Sequence, residues 1–259
     1  MSPAAESYLA GRTAELAGRL AAVRARIAAA CASAGRDPAE LTLIAVTKTY
    51  PACDVVALAG LGVTDVGENR DQEAVAKAAA VSAAGAEVRW HFVGQLQTNK
   101  ARSVAGYADF VHSVDRVRLA RALGTAARAA GRELTCLVQV SLDPADAGDA
   151  RGARARAGSP GAQARGGVPP VLAAEVAEAI EAEPGLVLGG LMAVAPRSAD
   201  PAAAFAPLRR LSDVMRSVSP SATMISAGMS GDLEAAIGGG ATHLRIGTAL
   251  LGDRSLPVL

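Results

Sequence analysis

The sequence LTLIAVTKTYP, residues 41–51, contains an apolar run and the turn that follows it. Residues 41–48 are short, apolar and rich in β-branched side chains, which is typical of a parallel strand buried on both faces. The turn at residues 47–51 contains no glycine, whereas an open doubly wound sheet usually has a glycine-rich first turn. This stretch therefore favours a closed barrel over an open sheet.

The alternation of strand and helix patterns continues on both sides of this stretch. A stripe of apolar residues from Leu9 to Ile27 predicts an amphipathic helix before the first strand. The predicted strands are 41–48, 63–69, 88–94, 109–114, 134–142, 186–194, 222–228 and 242–250. Eight such units in 259 residues predict an α/β fold, a (β/α)8 or TIM barrel with an extra N-terminal helix, in a single domain over residues 1–259. The doubly wound open sheet is the alternative.

Residues 144–170, PADAGDARGARARAGSPGAQARGGVPP, interrupt this alternation. The segment consists mainly of Gly, Pro, Ala and Arg and has almost no large apolar side chain, so little in it can drive packing. We therefore predict a flexible insertion after the fifth strand, at the mouth of the barrel. A basic segment that binds an acidic partner is the alternative.

The composition excludes several classes of partner. Lys plus Arg is 26 and Asp plus Glu is 25, a balance that gives no electrostatic reason to expect nucleic acid or an anionic membrane. No apolar run is long enough for a membrane span, and the N-terminus has no signal-peptide pattern. Cys31, Cys53 and Cys136 are widely spaced and match no metal site. We expect a cytoplasmic protein without a metal ion.

Lysine is rare in this arginine-rich chain and occurs only at positions 48, 77 and 100. A lysine that is kept against such a bias is expected where an amine is needed, because a guanidinium does not form a Schiff base. Lys77 lies in the Ala-rich stretch EAVAKAAA, which predicts a solvated helix position. Lys48 lies at the end of the first strand, on the same side as Ile44 and Val46.

The loops after the last two strands contain small and hydroxyl residues, namely Ser226, Gly228, Ser230, Gly247 and Thr248. In TIM barrels these loops, with a helix N-terminus, are where phosphate binds. Simple turn chemistry is the alternative, since the acidic residues that follow also cap a helix.

An amine at one rim position and a phosphate site at another match a cofactor with an aldehyde and a phosphate. Pyridoxal 5'-phosphate (PLP) is such a cofactor. The alternative for Lys48 is a strand-end lysine that reaches out to solvent.

Several motifs resemble, in order and spacing, the pyridoxal phosphate homeostasis protein family, which has the barrel of the alanine racemase N-terminal domain. They are IAVTKTYP, GENRDQE, WHFVGQLQTNK, VHSVDR, GLMAVAP and MSGDLEAAIGGGATHLRIGTALLG, within about residues 10–253. The chain departs from the family at Ala227, where SAGMS replaces SMGMS, and at Arg70, where GENR replaces GENY.

The resemblance implies roles for individual residues. Lys48 matches the Schiff-base lysine, and Arg245 matches the arginine that faces the pyridine nitrogen. Ser226, Gly247 and Thr248 match phosphate-binding positions. Further candidates for the cofactor pocket are Asn69, Gly228 and Met229.

The resemblance also implies a PLP-binding protein that buffers or delivers the cofactor to apo PLP-dependent enzymes, without strong catalysis of its own, and we expect a monomer. The alternative is a PLP-dependent amino-acid racemase. That reaction needs an acid/base group opposite the lysine, and only eight residues follow Leu251. A phosphosugar enzyme that uses Lys48 on a carbonyl is the third possibility.

Overall fold

The computed structural model describes residues 3–146 and 166–252. Within them, eight parallel strands follow one another around a closed barrel, and the last pairs with the first. The strands are Thr42–Val46 (β1), Asp65–Glu68 (β2), Arg89–Phe92 (β3), Phe110–Val114 (β4), Leu134–Ser141 (β5), Leu186–Val194 (β6), Met224–Ser226 (β7) and His243–Ile246 (β8). The predicted (β/α)8 barrel is confirmed.

Helices surround the barrel. They are Pro3–Ser33 (α1), Ala52–Gly60 (α2), Asp71–Ala83 (α3), Ala101–Ala105 (α4), Val117–Ala130 (α5), Ala173–Glu181 (α6), Pro201–Phe205 (α7), Leu208–Val218 (α8), Leu233–Gly238 (α9) and Thr248–Leu251 (α10). In the part of the chain that the structure describes, no helix combines the length and apolar character needed to cross a membrane.

The last strand is shorter than its sequence predicts. β8 ends at Ile246, Gly247 has φ −108° and ψ −87°, and Thr248 begins α10. Residues 242–250 were expected to form one strand because a short apolar run does not distinguish a strand from a short helix. The consequence for the site is that Gly247 and Thr248 lie in a strand-to-helix turn.

The strands alternate between an apolar outer face and a lumen that contains polar groups. In β8, Leu244 and Ile246 join the core beneath the helices, whereas Arg245 hydrogen-bonds to Ser226. In β2, Val66 joins that core and Asp65 contacts His91. This period of two is what places the functional side chains inside the barrel.

The long helix α1 fixes the beginning of the chain to its end. Its residues Leu16, Leu20, Val23 and Ile27 are buried, as the apolar stripe predicts. Arg12 forms an ion pair with Asp54 of α2 at 2.7 Å and donates to the Leu251 carbonyl oxygen at 3.0 Å.

The described ends of the predicted insertion 144–170 contact the barrel. Val168 is buried, and its N–H donates to the Gln139 carbonyl oxygen at 2.8 Å. Ser141 N–H in turn donates to the Val168 carbonyl oxygen at 2.9 Å, so Val168 extends the pairing of β5. Residues 147–165, on which most of the insertion prediction rests, lie outside the described residues.

Candidate functional site

The site residues expected from the sequence lie on four neighbouring strands. β7, β8, β1 and β2 are consecutive in the barrel. Ser226 is the last residue of β7 and Arg245 lies in β8, while Lys48 follows β1 and Asn69 follows β2 directly. Because the strands are parallel, these positions share the C-terminal rim, where TIM barrels carry their active sites.

Lys48 is half-buried two residues after the end of β1. A Cβ at Gly67 of β2 would lie 3.1 Å from Ile44 and 3.4 Å from Val46, so both side chains lie on one face of β1. Thr47 points to the other face, where its hydroxyl donates to Glu68. Continued alternation predicts that Lys48 lies on the face of Ile44 and Val46, which is the lumen.

The turn that contains Lys48 is held by a buried ion pair. Lys77 Nζ of α3 donates to the Thr47 carbonyl oxygen at 2.7 Å and to Glu68 Oε1 at 2.5 Å. The Thr47 hydroxyl donates to the same Glu68 oxygen at 2.7 Å. Glu68 and Thr47 are fully buried and Lys77 is 8% exposed, so the solvated position expected for Lys77 is wrong.

Thr49, next to Lys48, has φ 70°. This left-handed conformation is unfavourable for a β-branched residue and costs about 1–3 kcal/mol. Its N–H donates to Glu73 Oε2 of α3 at 3.3 Å. The first turn of α3 therefore helps to hold the backbone of the lysine turn.

Asn69 is half-buried and packs against Gly94 of the WHFVGQLQTNK motif. A Cβ at Gly94 would lie 2.2 Å from the Asn69 carbonyl oxygen and 2.3 Å from its Oδ1. Any larger residue at position 94 would displace Asn69, which gives this motif glycine a physical role.

Arg245 is buried in the lumen, with 5% of its surface exposed. Nη1 donates to the Ser226 carbonyl oxygen at 2.6 Å and to Ser226 Oγ at 2.7 Å, and Nη2 donates to the Ala193 carbonyl oxygen at 2.9 Å. Burial lowers the pKa of Arg245 to about 10, so the guanidinium remains charged at neutral pH. Among the described residues no carboxylate forms an ion pair with it, and the cation favours an electron-rich ligand.

Ser226 is fully buried and its hydroxyl contacts other side chains. Besides the bond from Arg245, Ser226 Oγ lies 2.9 Å from His112 Nδ1 of β4. His112 Nε2 lies 2.9 Å from His91 Nδ1, and His91 Nε2 lies 2.8 Å from Asp65 Oδ1. Ser226 is thus part of a polar chain through the lumen.

The loop after β7 needs a glycine at position 228. Gly228 has φ +90°, and a Cβ there would lie 2.6 Å from the Ala236 Cβ. Its carbonyl oxygen accepts the Arg245 N–H at 3.0 Å. Met229 follows with 39% exposure, and its N–H donates to Asp232 Oδ1 at 2.6 Å. Asp232 therefore stabilises this turn, but its side chain makes no capping hydrogen bond to α9, which the turn-chemistry alternative expected.

Ser230 connects the two loops that were expected to bind phosphate. Its Oγ accepts the Ala249 N–H, in the first turn of α10, at 3.2 Å. Gly247 precedes α10, and the exposed Thr248 is the first residue of that helix. The structure brings together the two loops selected from the sequence, with Ser230 between them.

The roles of Lys77, Glu68 and His112 are not predicted from the sequence. Lys77 carried a usable signal, since it is one of only three lysines. No signal in the sequence pointed to the partners of His112, because Ser226 lies 114 positions after it in the chain. Within the described ranges, no group of three or more His, Cys, Asp and Glu side chains is arranged to hold a metal ion.

Comparison with known proteins places these features in a family. Residues 19–255 match the alanine racemase N-terminal domain family. A protein of Mycobacterium bovis named pyridoxal phosphate homeostasis protein is 44% identical over 259 residues, which is 95% of each chain. A protein of the same name from Escherichia coli is 34% identical, over 87% of this chain and 91% of its own.

Solved structures agree with this placement. PipY of Synechococcus elongatus, solved with PLP bound, has a TM-score of 0.73 and 30% identity, covering 92% of this chain and all of PipY. Alanine racemase of Corynebacterium glutamicum has a TM-score of 0.63 at 13% identity, covering 95% of this chain and 62% of its own. The second likeness shows a shared fold only.

Proposed function

Because the chain belongs to the alanine racemase N-terminal domain family, and within it to the pyridoxal phosphate homeostasis proteins, we propose that it binds PLP and buffers or delivers this cofactor in the cell. The observation that carries the proposal is the position of Lys48 on the same rim as a buried, charged Arg245 and the joined β7 and β8 loops. These features suit the three parts of PLP, which are the aldehyde, the ring nitrogen and the phosphate.

The reactive end of the site is Lys48. When bound, PLP supplies an aldehyde that condenses with a primary amine. Lys77 and Glu68 hold the Thr47 backbone from the outside of the barrel, and alternation turns Lys48 inward. The chain thus presents one amine to the lumen and keeps Lys77 out of it.

The ring end is Arg245. Its guanidinium is fixed by the Ser226 and Ala193 oxygens and has no carboxylate partner among the described residues. A guanidinium facing the pyridine nitrogen would donate a hydrogen bond to its lone pair and leave that nitrogen unprotonated. The ring is then a weaker electron sink, which fits a binding protein better than a catalyst of carbanion chemistry.

The phosphate end is formed by the turns after β7 and β8. Gly247 and Thr248 open α10, and Ser230 is hydrogen-bonded to its first turn. Small residues allow close approach of the backbone, and hydroxyls and N–H groups suit an anion. Gly228 and Met229 shape the β7 side of this subsite, and Asn69 borders the site from β2.

The tyrosines of the described side chains do not support a racemase. The Tyr50 hydroxyl donates to the Gly252 carbonyl oxygen at 2.7 Å, and its ring lies 6.0 Å from the Arg12 guanidinium carbon of α1. Tyr107 packs edge-on against Trp90, and burial raises its pKa. We propose that neither residue moves a proton on the side of a substrate opposite Lys48. We therefore propose that the protein lacks strong catalytic activity, acts as a cytoplasmic monomer, and passes PLP to apo enzymes.

A spectrum of the PLP-loaded protein before and after borohydride tests the proposal. We expect bound PLP to be fixed by reduction, and peptide mapping to find the adduct on Lys48. Lys48→Arg keeps the charge and should abolish fixation, whereas Lys100→Arg, at a half-exposed lysine 3.8 Å from Asp71, should not affect it. An adduct on Lys77 or Lys100 would overturn the assignment.

A transfer assay tests the delivery step. The loaded protein is mixed with an apo aminotransferase, and the recovered aminotransferase activity is compared with that given by the same amount of free PLP. Activity that recovers no faster than passive release of PLP allows would limit the role to buffering.

A further inference from the structure

A chain of hydrogen-bonded side chains crosses the barrel lumen from β2 to β8. Its links are Asp65 to His91 at 2.8 Å, His91 to His112 at 2.9 Å, His112 to Ser226 at 2.9 Å, and Ser226 to Arg245 at 2.7 Å. Every member is at most 5% exposed. The His91 ring is also stacked on Phe110 at 4.2 Å, which fixes its plane.

The direction of the first link follows from the charge of Asp65. Its Oδ2 accepts from Arg89 Nη2 at 2.6 Å and from the Thr64 hydroxyl at 3.1 Å. Burial acts to raise the pKa of Asp65, but the hydrogen bonds from His91 and Arg89 lower it to about 2. An ionised carboxylate only accepts hydrogen bonds. His91 Nε2 must therefore carry the hydrogen of this link.

The remaining directions follow one from another. Burial lowers the pKa of His91 and holds the pKa of His112 well below its usual value, so both rings are neutral at pH 7. A neutral imidazole has one donor and one acceptor nitrogen. His91 Nδ1 therefore accepts from His112 Nε2–H, and His112 Nδ1 accepts from the Ser226 hydroxyl. The proton of Ser226 is thus directed to His112, and its lone pairs face Arg245.

We propose that Asp65, His91 and His112 are positioning residues that make the Ser226 hydroxyl an acceptor for Arg245 and so fix its guanidinium toward the cofactor ring. The identity of the ligand rests on the proposed function, whereas the direction of the chain does not. Ser226, in this arrangement, supports Arg245 and does not donate a hydrogen bond to the phosphate. The phosphate end then depends on Ser230, Gly247 and Thr248.

The chain also explains how a buried cation is tolerated without a carboxylate beside it. Hydrogen bonds in series polarise one another in a medium of low dielectric constant. The negative charge of Asp65 therefore strengthens the acceptor character of Ser226, three links away. In this arrangement the guanidinium is stabilised from a distance and not by an adjacent carboxylate of the described residues.

The three histidines of the sequence allow a direct test by long-range proton–nitrogen NMR, which distinguishes the two neutral tautomers. In the wild-type protein at pH 7 we expect both His91 and His112 to carry hydrogen on Nε2. This measurement needs no variant. An Nδ1–H tautomer for either ring would overturn the proposal.

Asp65→Asn should reverse the direction of the hydrogen bonds that run from position 65 through His91 and His112 to Ser226. The donors Arg89 and Thr64 both address the Oδ2 position, so the amide oxygen should take that place and the NH2 group should face His91. His91 Nε2 must then accept, and both histidines should change to the Nδ1–H tautomer. Asp109→Asn is the matched control, because Asp109 accepts from Trp90 N–H and Arg132 outside this chain. Tautomers that do not change in Asp65→Asn would contradict the proposal.

Ligand affinity provides the functional readout. We expect Asp65→Asn and Ser226→Ala to bind PLP about tenfold more weakly, the effect of about one hydrogen bond. Pyridoxal, which lacks the phosphate, should lose the same factor, because the change acts through the ring. Reversed tautomers with unchanged affinity would overturn the positioning role. If the wild-type protein bound no PLP, the proposed function would fail and with it the role of Arg245, while the tautomers would still decide the direction of the chain.

Discussion

Lys77 of α3 donates a hydrogen bond to the carbonyl oxygen of Thr47 at 2.7 Å, one residue before Lys48. The same amine forms an ion pair with the fully buried Glu68 at 2.5 Å. Thr47 O also accepts the Tyr50 N–H at 3.0 Å, so the turn around Lys48 is fixed from its own backbone and from the helix outside. One lysine thereby sets the backbone position of another.

Lys77→Met should destabilise the protein and weaken PLP binding. Breaking a buried ion pair leaves Glu68 without its cation, which costs about 3–5 kcal/mol. Adding Glu68→Gln removes the unpaired charge and should restore most of the stability, as measured by urea unfolding. The double variant should still bind PLP about tenfold more weakly, because the Thr47 carbonyl oxygen has lost its Lys77 donor.

Lys100→Met is the control for the Lys77 prediction. Lys100 is 39% exposed and its amine lies 3.8 Å from Asp71, so this pair is weak compared with the buried pair of Lys77. This variant should leave both stability and PLP affinity close to the wild-type values. A double Lys77→Met, Glu68→Gln variant with wild-type affinity would show that Lys77 stabilises the fold without positioning the turn.

The sequence predicts the barrel because its strands and helices follow local patterns. Short apolar runs with intervening helices specify eight strands, and alternation from Ile44 through Val46 predicts that Lys48 points inward. The predicted end of β8, at residue 250, was wrong for a related reason. Apolar residues after Gly247 fit a strand or a helix equally well, and contacts with α1 and the barrel decide between them.

The partners of buried polar groups are not predictable in this way. Lys77 lies in an Ala-rich helix with no strong apolar stripe, so the sequence does not show which face is buried. Its partner Glu68 is on a neighbouring strand. Ser226 matches a phosphate-binding position by motif, and only the closed barrel brings His112 and Arg245 to its hydroxyl. These contacts depend on tertiary structure.

Ser230 and Ser226 should respond differently to loss of the ligand phosphate. Ser230 is hydrogen-bonded to the first turn of α10, whereas the Ser226 hydroxyl contacts Arg245 and His112. Ser230→Ala should weaken PLP binding about tenfold and leave pyridoxal binding unchanged. Ser226→Ala should weaken both ligands by the same factor. Fluorescence titration with each ligand measures the four affinities, and equal behaviour of the two variants would argue against separate roles.

Acidification should destabilise the protein through its histidines. Burial lowers the pKa of His243 to about 4, while a histidine in the unfolded chain titrates near 6.5. Between these values the unfolded chain binds a proton that the folded chain does not, so stability is present above about pH 6.5 and falls as the pH drops toward 4. For His243 alone, the loss from pH 7 to pH 5 is about 2 kcal/mol.

Urea unfolding at pH 7 and pH 5 measures this acid dependence. His91 and His112 also have lowered pKa values because they are buried, and they add to the loss in the same direction. His243→Gln removes one titrating group near Thr242, to which His243 Nδ1 lies 2.8 Å away. The variant should therefore show a smaller difference between the two pH values than the wild-type protein. An equal or larger difference would mean that His243 does not contribute.

Racemisation separates a PLP-binding protein from an enzyme of the same fold. Removing the α-proton of an amino acid and returning it on the other face requires a second acid/base group opposite Lys48. Tyr50 and Tyr107 are held elsewhere, by Gly252 and by Trp90, and in the proposed complex Arg245 would keep the ring nitrogen of PLP unprotonated.

We therefore expect no significant exchange of the α-hydrogen of L- or D-alanine with solvent deuterium in the PLP-loaded protein. The expectation follows from the proposed lack of an opposing acid/base group, because one such group contributes a factor of about 10²–10⁴, equivalent to roughly 3–5 kcal/mol of barrier. Proton NMR of alanine in deuterium oxide follows the exchange, and Lys48→Ala gives the background rate. Tyr50→Phe is the second control, since its hydroxyl is the phenol nearest in sequence to Lys48. Exchange at an enzyme-like rate that disappears in Lys48→Ala would favour the racemase, and its loss in Tyr50→Phe as well would identify the opposing acid/base group.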